Sequence, residues 1–466
     1  MAGNGKGDVT AAIADLVRTA TAENVSVGVL GRAKTHILDT LGLALAGNRS
    51  EAAGIVRDDI VGLGFGGDGS SIFGTTLRAP PRFAAFANAV SAHADNYDDT
   101  VPQARLERTG GIHASGAVLP AVLAIAERTG VSGMDAIVSY LIGIEVAGRL
   151  NHAIGPRHYA DGFHTTGTLN VFGAVAASAR LLNLDAPGTV NAIGIAASRA
   201  AGVRRNFGTM SEILHPGFAA QDGIASAELA ARGLTAASDA LDGPTGFLAA
   251  GAGEFDAGDI VGRLSRPWLF DDPGVWIKPH PNGALTHPGA GCLLELLQDN
   301  SVVPAEIHEI RVRTNDRVWQ TLQHHRPQTA MQAKFSMEFT LAVTAVGGRA
   351  GLADFTDENL QRAGIQDMMN RVTYTPYDVV GGDYTNVTTL IDVVLADGQT
   401  LSGRADFAKG STNAPMDFDA VAEKFRQCAE VGGFGSEDAQ IVIETVQQLD
   451  RVESVETLQN TLVSKK

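Results

Sequence analysis

The chain has 466 residues, of which 44% are hydrophobic, and its mean hydropathy is +0.04. It is long enough for two domains with buried cores, and its composition argues against a disordered protein. The formal net charge of −16 repels phosphate groups, and no Lys/Arg-rich run interrupts it, so we expect neither nucleic acid nor an anionic membrane surface as a partner.

Targeting and cofactor signals are scarce in this sequence. The first ten residues do not resemble a secretory signal, and the longest apolar window, 136–148, is too short to span a membrane and contains Glu145. Two cysteines, Cys292 and Cys428, are too few for an iron–sulfur cluster or a disulfide framework. We therefore expect a cytoplasmic location, and no bound metal or other cofactor.

The chain up to about residue 241 predicts one helix after another. In the segment 81–94, Phe83, Phe86, Ala87 and Val90 recur at i, i+3, i+4 and i+7, after two prolines that favour a helix start. This part of the chain is therefore expected to be all-α. The predicted helices include 27–46, 81–94, 115–127, 134–150, 165–182 and 218–231.

Strand patterns come later in the chain. Ile307, Ile310 and Val312 predict a strand at 306–313, and strands at 387–395 and 400–407 flank Asp397-Gly398, a hairpin signal. Helical periodicity returns at 418–428 and 438–449. The prediction is a mainly α protein, with a large all-helical domain formed by 1–269 and 411–466 and a smaller α+β domain at 270–410.

Four of the twelve histidines share a local pattern. The segments are His113-Ala-Ser-Gly, His164-Thr-Thr-Gly, His215-Pro-Gly and His287-Pro-Gly. Each is predicted to stand where a helix begins, beside unpaired backbone N–H groups and the positive end of the helix dipole. Several such ends in one cleft would bind an anion. The alternative is that each histidine only caps its own helix or packs at a domain surface.

Two further segments carry candidate site residues. After the helix 81–94, Asn96, Tyr97 and Thr100 offer polar groups for a ligand hydroxyl or carboxylate, whereas Asp98 and Asp99 could simply cap the next element. Lys278 stands between Trp276 and Pro279 on a stiffened backbone. Partial burial would let it act as a base, although surface lysines are commoner.

Eight sequence blocks are spaced over nearly the whole chain. They are Asn88…His93…Tyr97-Asp-Asp-Thr100, His113-Ala-Ser-Gly-Ala-Val-Leu-Pro, Gly143-Ile-Glu-Val…Arg149-Leu, Gly162-Phe-His-Thr-Thr-Gly, Leu214-His-Pro-Gly, Lys278-Pro-His-Pro, Lys334-Phe-Ser-Met-Glu-Phe and Asn413-Ala-Pro-Met. Together they resemble the MmgE/PrpD family, which includes 2-methylcitrate dehydratase, cis-aconitate decarboxylase and iminodisuccinate epimerase.

The resemblance implies a helical domain that the C-terminus completes, a smaller α+β domain over the active site, a homodimer and no cofactor. It also implies that Thr100, His113, His164 and Lys278 line the cleft. The sequence departs from the family pattern at polar positions, and an insertion at about 101–111 adds Arg105 and Arg108. The departures are Asn96 for aspartate, Glu212 for the lysine of the decarboxylase, Gly283 for histidine and Phe339 for tyrosine.

Because these losses remove polar groups, the sequence favours the reaction that needs the fewest. An epimerase needs a base on one face of a carbon, an acid on the other, and positive charge for the carboxylates. We therefore expect a cofactor-independent epimerase acting on a small polycarboxylate such as iminodisuccinate. Lys278 and either His113 or His164 are the expected base and acid.

Other side chains are expected to bind the substrate rather than transfer protons. Arg105, Arg108 or Arg204, together with helix N-termini, would bind the carboxylate arms. The remaining candidate binding residues are Asn96, Tyr97, Thr100, His215 and His287. The alternatives are a 2-methylcitrate-like dehydratase, a cis-aconitate-type decarboxylase and, without catalysis, a polycarboxylate-binding protein.

Overall fold

The computed structural model describes residues 9–65, 67–102, 111–252, 255–377 and 384–463. Its contacts group into two compact units. The first unit holds the chain up to Ala94, Asp98–Trp276 and the chain from Asp417 onward, and the second holds Asp95–Tyr97 and Ile277–Met416. The domain boundaries at 270 and 410 stay predictions.

Helices dominate the described chain. They are α1 (Val9–Thr19), α2 (Val27–Gly47), α3 (Glu51–Gly62), α4 (Pro81–His93), α5 (Ser115–Thr129), α6 (Gly133–Ala153), α7 (Pro156–Ala160), α8 (Thr165–Leu181), α9 (Ala186–Ala197), α10 (Met210–Ala231), α11 (Phe247–Ala252), α12 (His287–Asp299), α13 (Asp316–Thr321), α14 (Ala330–Ala333), α15 (Met337–Gly347), α16 (Asp357–Gln361), α17 (Ala363–Asn370), α18 (Phe418–Val431), α19 (Ser436–Gln447) and α20 (Glu456–Thr461). Among the residues described, no helix combines the length and the apolar character needed to cross a bilayer.

Strands are few and short. They are β1 (Ser70–Ser71), β2 (Arg78–Ala79), β3 (Ile307–Thr314), β4 (Val372–Pro376), β5 (Thr389–Leu395) and β6 (Thr400–Ala405). The prediction of a mainly α protein with a smaller α+β part is confirmed at this level.

The first unit follows the predicted helices closely but differs in two places. The antiparallel pair β1–β2 interrupts the helices, with Ser70 opposite Ala79, so this part of the chain is not all-α as expected. Helix α10 begins at Met210, eight residues before the predicted start at 218, because Pro216 is accommodated inside the helix. The proline predicts a helix start, and at Pro216 that prediction is wrong.

Small side chains let neighbouring helices of the first unit approach closely. A Cβ added to Gly143 of α6 would lie 2.4 Å from Val118 Cγ1 and 3.0 Å from the Gly173 carbonyl oxygen of α8. A Cβ added to Gly173 would lie 2.5 Å from the Gly143 carbonyl oxygen. The two backbones therefore nearly touch, which is the packing expected from an alanine- and glycine-rich composition.

The second unit contains a mixed four-stranded sheet in the order β4-β3-β5-β6. β3 runs parallel to β4, with Ile310 opposite Val372, and antiparallel to β5, with Ile310 opposite Val393. The predicted β5–β6 hairpin is confirmed, and Gly398 turns with a φ of 91°. The edge strand β4 was missed, because only Val372 and Tyr374 of its five residues are buried.

An irregularity in β3 explains its apolar pattern. Ile307 and Ile310 are both fully buried although they are three residues apart, which strict alternation of side chains does not allow. The register with β5 shifts between Ile307 and Glu309, and the extra residue returns Ile310 to the buried face. Both isoleucines belong to a core formed with α12, α15 and α17.

The close approach of α6 and α8 predicts opposite effects for two glycine-to-alanine changes. Gly143→Ala should lower the free energy of unfolding by about 1–3 kcal/mol, because its Cβ has no room. Gly31→Ala is the matched control: nothing lies within 4 Å of its added Cβ inside α2, so it should raise stability by about 0.5–1 kcal/mol. Urea unfolding of both variants measures this, and equal effects would contradict the packing argument.

Candidate active site

His113 lies just before α5 in the first unit, and its ring has a defined orientation. Its Nδ1 is 2.7 Å from the Asp99 carbonyl oxygen and 3.3 Å from the Thr100 hydroxyl. Because a carbonyl oxygen only accepts hydrogen bonds, this contact assigns the proton of the neutral ring to Nδ1. Nε2 is then the basic nitrogen, the atom that can take up or release a proton at a substrate.

The backbone of His113 is also held by α8. Its N–H donates to the Thr166 hydroxyl at 3.2 Å, and its carbonyl oxygen accepts from the Asn170 amide at 2.7 Å. Both partners are buried residues in the first two turns of α8. The histidine is therefore positioned by a rigid element as well as by its own loop, and 18% of its side chain stays exposed.

His164 and His215 form a buried pair in the same unit. His164 is the N-cap residue of α8, and its Nδ1 is 2.7 Å from Nδ1 of His215. One ring must donate and the other accept, so the pair shares one proton along this contact. Burial, with help from nearby histidine charges, lowers the pKa of His164 well below its ordinary value, and it lowers the pKa of His215 to about 4. Both rings are therefore neutral at pH 7.

A carboxylate lies among these histidines. Asp98 is fully buried, with Oδ2 at 2.8 Å from Nδ1 of His93 and Oδ1 at 3.7 Å from Nδ1 of His113. The ring of His93 is 5.3 Å from that of His113 and 6.5 Å from that of His164, between centroids. We call His93, Asp98, His113, His164 and His215 the histidine cluster. It combines a negative charge, neutral rings and one partly exposed imidazole.

His93 and Asp98 were not among the predicted site residues. They stand in the block 93–100, where the sequence offered an ordinary alternative for Asp98, a helix cap. The sequence signal that could have found them is a histidine and an aspartate five residues apart on either side of a helix end. Only the fold shows that the two side chains form a buried contact. His215 was predicted at a helix start and was misplaced: it lies inside α10, beside His164.

In the second unit, Lys278 is buried and is hydrogen-bonded to the segment Asp95–Tyr97. Its Nζ donates to the backbone oxygen and to the side-chain oxygen of Asn96, both at 2.8 Å. Asn96 has a φ of 52°, a left-handed conformation that asparagine tolerates better than most residues. The Tyr97 hydroxyl donates to the Pro279 carbonyl oxygen at 2.9 Å, and Lys334 Nζ donates to the Asp95 carbonyl oxygen at 2.7 Å.

The remaining predicted site residues fall in three places. Arg204 donates to the Tyr159 carbonyl oxygen at 2.7 Å, and its guanidinium lies 3.7 Å from the centre of the Tyr159 ring. His287 is the first residue of α12 and contacts Asn282 at 2.7 Å. Arg105 and Arg108 lie outside the described residues.

The positions that depart from the family pattern have structural roles of their own. Glu212 is half-buried and accepts from the Gly208 N–H at 2.9 Å. Gly283 donates to the Lys334 carbonyl oxygen at 2.8 Å. Phe339 is fully buried in the core of the second unit and packs against Phe355. Glycine and phenylalanine supply no titratable side chain at two of these three positions.

The fold and the histidine cluster define a class: mainly helical proteins with a cluster of buried titratable side chains. Two family models match, the MmgE/PrpD N-terminal domain over residues 11–258 and the MmgE/PrpD C-terminal domain over residues 280–451. The chain belongs to the MmgE/PrpD family, and the resemblance drawn from the sequence is confirmed.

Relatives with assigned names are enzymes. Cis-aconitate decarboxylase of Homo sapiens is 29% identical over 85% of this chain and 83% of its own length. The Mus musculus enzyme of that name is 27% identical over 90% of this chain and 86% of its own length. A cis-aconitate decarboxylase of Aspergillus terreus is 25% identical over 98% and 96%. These similarities favour the decarboxylase alternative over the epimerase.

The neutral His164–His215 pair predicts a loss of stability in mild acid. Unfolded histidines have a pKa near 6.5, whereas burial holds both folded values lower. As the pH falls from 6.5 to 4, the unfolded chain binds protons that the folded chain does not. The free energy of unfolding should therefore fall across this window, by at most about 3 kcal/mol for His215.

Urea unfolding at several pH values between 7.5 and 4.5 measures this dependence. His215→Gln, which keeps a polar side chain but does not titrate, should flatten it. His308→Gln, which changes an exposed histidine of β3, should leave it unchanged. The same slope in the wild type and His215→Gln would show that the pair is not neutral when folded.

Proposed function

We propose that this chain is a cofactor-independent lyase that removes a carboxyl group from a small unsaturated tricarboxylate of the cis-aconitate type. The observation that carries the proposal is the histidine cluster, in which His113 has a defined tautomer and lies beside a buried carboxylate. The names of the relatives support the reaction type and the substrate class.

The proposed reaction requires one proton and no redox partner. Cis-aconitate carries a carboxylate on a methylene carbon next to a carbon–carbon double bond. When the bond to that carboxylate breaks, its electron pair forms a new double bond, and the electrons of the old double bond take up a proton at the far carbon. One CO2 leaves and one proton enters, so the enzyme must supply a proton donor and groups that hold the other two carboxylates.

His113 is the proposed proton donor. In its protonated form the ring keeps the Nδ1–H bond to Asp99, so Nε2 delivers the proton without reorientation. Asp98, with a carboxylate oxygen 3.7 Å from the ring, stabilises the positive charge that the ring carries before transfer. The neutral pair of His164 and His215 offers hydrogen bonds without adding a competing acid.

Lys278 is assigned the binding of a substrate carboxylate. Its ammonium group is buried and its stem is fixed by Asn96, so little conformational entropy is lost when an anion binds. Arg105 and Arg108 stay proposed carboxylate ligands from the inserted segment, and Thr100 a proposed hydrogen-bond donor.

Epimerisation is the second candidate, and one observation favours it. Gly283 and Phe339 lack the histidine and tyrosine of the family pattern, and Glu212 reverses the charge of the expected lysine. An epimerase would need only two proton carriers on opposite faces of a carbon, a role that Lys278 and a cluster histidine could share.

Isotope incorporation separates these candidates. With cis-aconitate in deuterated water, the lyase should release CO2 and place one deuterium in each molecule of product, measured by mass spectrometry. The absence of CO2 above the level of a His113→Gln control contradicts the lyase. An epimerase should instead convert one stereoisomer of iminodisuccinate into the other, with deuterium at the inverted centre. Saturable binding without either reaction would indicate a polycarboxylate-binding protein.

Two substitutions test the assigned roles of proton donor and carboxylate ligand. His113→Gln should lower kcat by about 10²–10⁴, the usual contribution of a positioned acid, with little change in KM. Lys278→Met keeps the apolar stem and removes the charge, so it should mainly raise KM, by about tenfold or more.

Matched controls make the comparison specific. His308→Gln and Lys409→Met change exposed residues of the same types and should leave both constants within about twofold of wild type. A loss of kcat in Lys278→Met, with KM unchanged, would contradict the assignment of Lys278 as a carboxylate ligand and give it a role in proton transfer.

A further inference from the structure

Behind His113 lies a layer of buried polar side chains that contributes no group to the proposed reaction. His36 of α2 is 4% exposed and Asp99 is 1% exposed. Nδ1 of His36 is 2.8 Å from Oδ2 of Asp99, and because a carboxylate accepts, His36 is the donor. The ring of His36 also packs edge-on against Phe270, with 4.9 Å between centroids, which limits its rotation.

The Asp99 carboxylate caps α5 from outside the helix. Ala114 occupies the N-cap position and has no side-chain oxygen to accept a hydrogen bond. Oδ1 of Asp99 accepts from the Ser115 N–H at 3.2 Å, and Oδ2 contacts the Ser115 hydroxyl. A negative charge at the positive end of a 15-residue helix is favourable, so the side chain of Asp99 is anchored at this point.

The backbone of the same residue orients the proposed proton donor. The Asp99 carbonyl oxygen receives the Nδ1–H of His113 at 2.7 Å. Because the side chain and the carbonyl group share one Cα, the hydrogen bonds that anchor the Asp99 carboxylate also restrain the backbone that carries this oxygen. The orientation and the tautomer of His113 therefore depend on the anchor that His36 helps to hold.

The charged groups next to His36 are mainly carboxylates, those of Asp99 and Asp39. One turn further along α2, Asp39 is paired with Lys424 of α18 at 2.7 Å. Burial raises the pKa of Asp39, and the charge of Lys424 opposes this rise. The Tyr140 hydroxyl is hydrogen-bonded to the Ser115 hydroxyl. Among the described residues, His36 thus interacts with Asp39 and Asp99, while Lys424 is paired with Asp39 and Tyr140 lies next to Ser115.

We propose that His36 is a positioning residue for His113. By donating to Asp99 it holds the carboxylate on the N-terminus of α5, and the Asp99 carbonyl oxygen then keeps the proton of His113 on Nδ1 and leaves Nε2 as the proton-transferring nitrogen. The inference rests on the proposed function only in giving His113 a catalytic role.

The kinetic test compares a variant without the donor with one that restores it. His36→Leu should lower kcat for cis-aconitate by about 10- to 100-fold, the cost of a slightly misplaced catalytic group, with KM within about twofold. It should also change the pH profile of kcat. His36→Asn places an amide N–H near the position of Nδ1 and should recover most of the loss.

A second variant covers the case in which His36→Leu does not fold. His36→Gln keeps an amide donor but moves it by one methylene, so it should lose part of the activity. Thr40→Val is the matched structural control: it removes a buried hydroxyl that donates to the His36 carbonyl oxygen on the same helix, without touching Asp99, and kcat should stay near wild type.

A spectroscopic measurement makes the inference independent of the substrate. With ¹⁵N-labelled histidine, the signals of His113, identified by their absence in His113→Gln, should report a proton on Nδ1 at high pH in the wild type. In His36→Leu they should shift toward a proton on Nε2, and in His36→Asn they should return. An unchanged His113 tautomer in His36→Leu overturns the inference, whatever happens to kcat. If the wild type does not act on cis-aconitate but His36→Leu still shifts the His113 tautomer, the proposed function is contradicted and the positioning role is supported.

Discussion

Two consecutive carboxylates, those of Asp98 and Asp99, are withdrawn from water in the first unit. A buried carboxylate costs several kcal/mol unless hydrogen bonds and opposite charge compensate for it. Asp98 is hydrogen-bonded to His93 at the end of α4, and Asp99 is hydrogen-bonded to His36 of α2 and to the N-terminus of α5. The need to satisfy both acids therefore ties three helices to one short loop, and the same loop carries the oxygen that orients His113.

Close packing of small residues is the second condition for this arrangement, and it explains the glycines of the histidine motifs. A Cβ on Gly116, three residues after His113, would lie 2.8 Å from Oδ2 of Asp98. A Cβ on Gly167, three residues after His164, would lie 2.5 Å from the Ala201 carbonyl oxygen and 3.3 Å from Cβ of His215. The glycine in each motif thus leaves room for a neighbour. The histidine motifs were interpreted as helix caps, but their glycines also reflect close approach of neighbouring segments.

Membership in the MmgE/PrpD family indicates the type of chemistry, proton transfer at a carbon of a carboxylate substrate, but it does not decide which reaction follows. Decarboxylation of an unsaturated tricarboxylate and epimerisation beside a carboxylate both need a proton moved at carbon and positive charge for carboxylates. The histidine cluster can serve either reaction. The choice between them rests on how many proton carriers act, so the absence of titratable side chains at Gly283 and Phe339 keeps epimerisation as the second candidate.

Local periodicity and composition were sufficient for much of the fold. Helices such as α2, α5, α6 and α8 could be predicted within a few residues, because their apolar spacing and their start signals lie within the helix itself. The sequence blocks were also sufficient for the family. A local signal failed at Pro216, which predicts a helix start but lies within α10. The strand β3 was predicted correctly, and a register shift in it lets Ile307 and Ile310 share a face.

The partners of the site residues were decided by the tertiary structure alone. The sequence marks His113, His164, His215 and Lys278 as candidates, but it does not show that His164 and His215 share a proton or that Lys278 grips Asn96. It also gives no sign that His36, 63 positions before Asp99, holds that carboxylate. Hydrogen bonds and burial depend on distances of a few ångströms between segments far apart in the chain. Those distances are set by helix packing, and the pKa of a histidine follows from them.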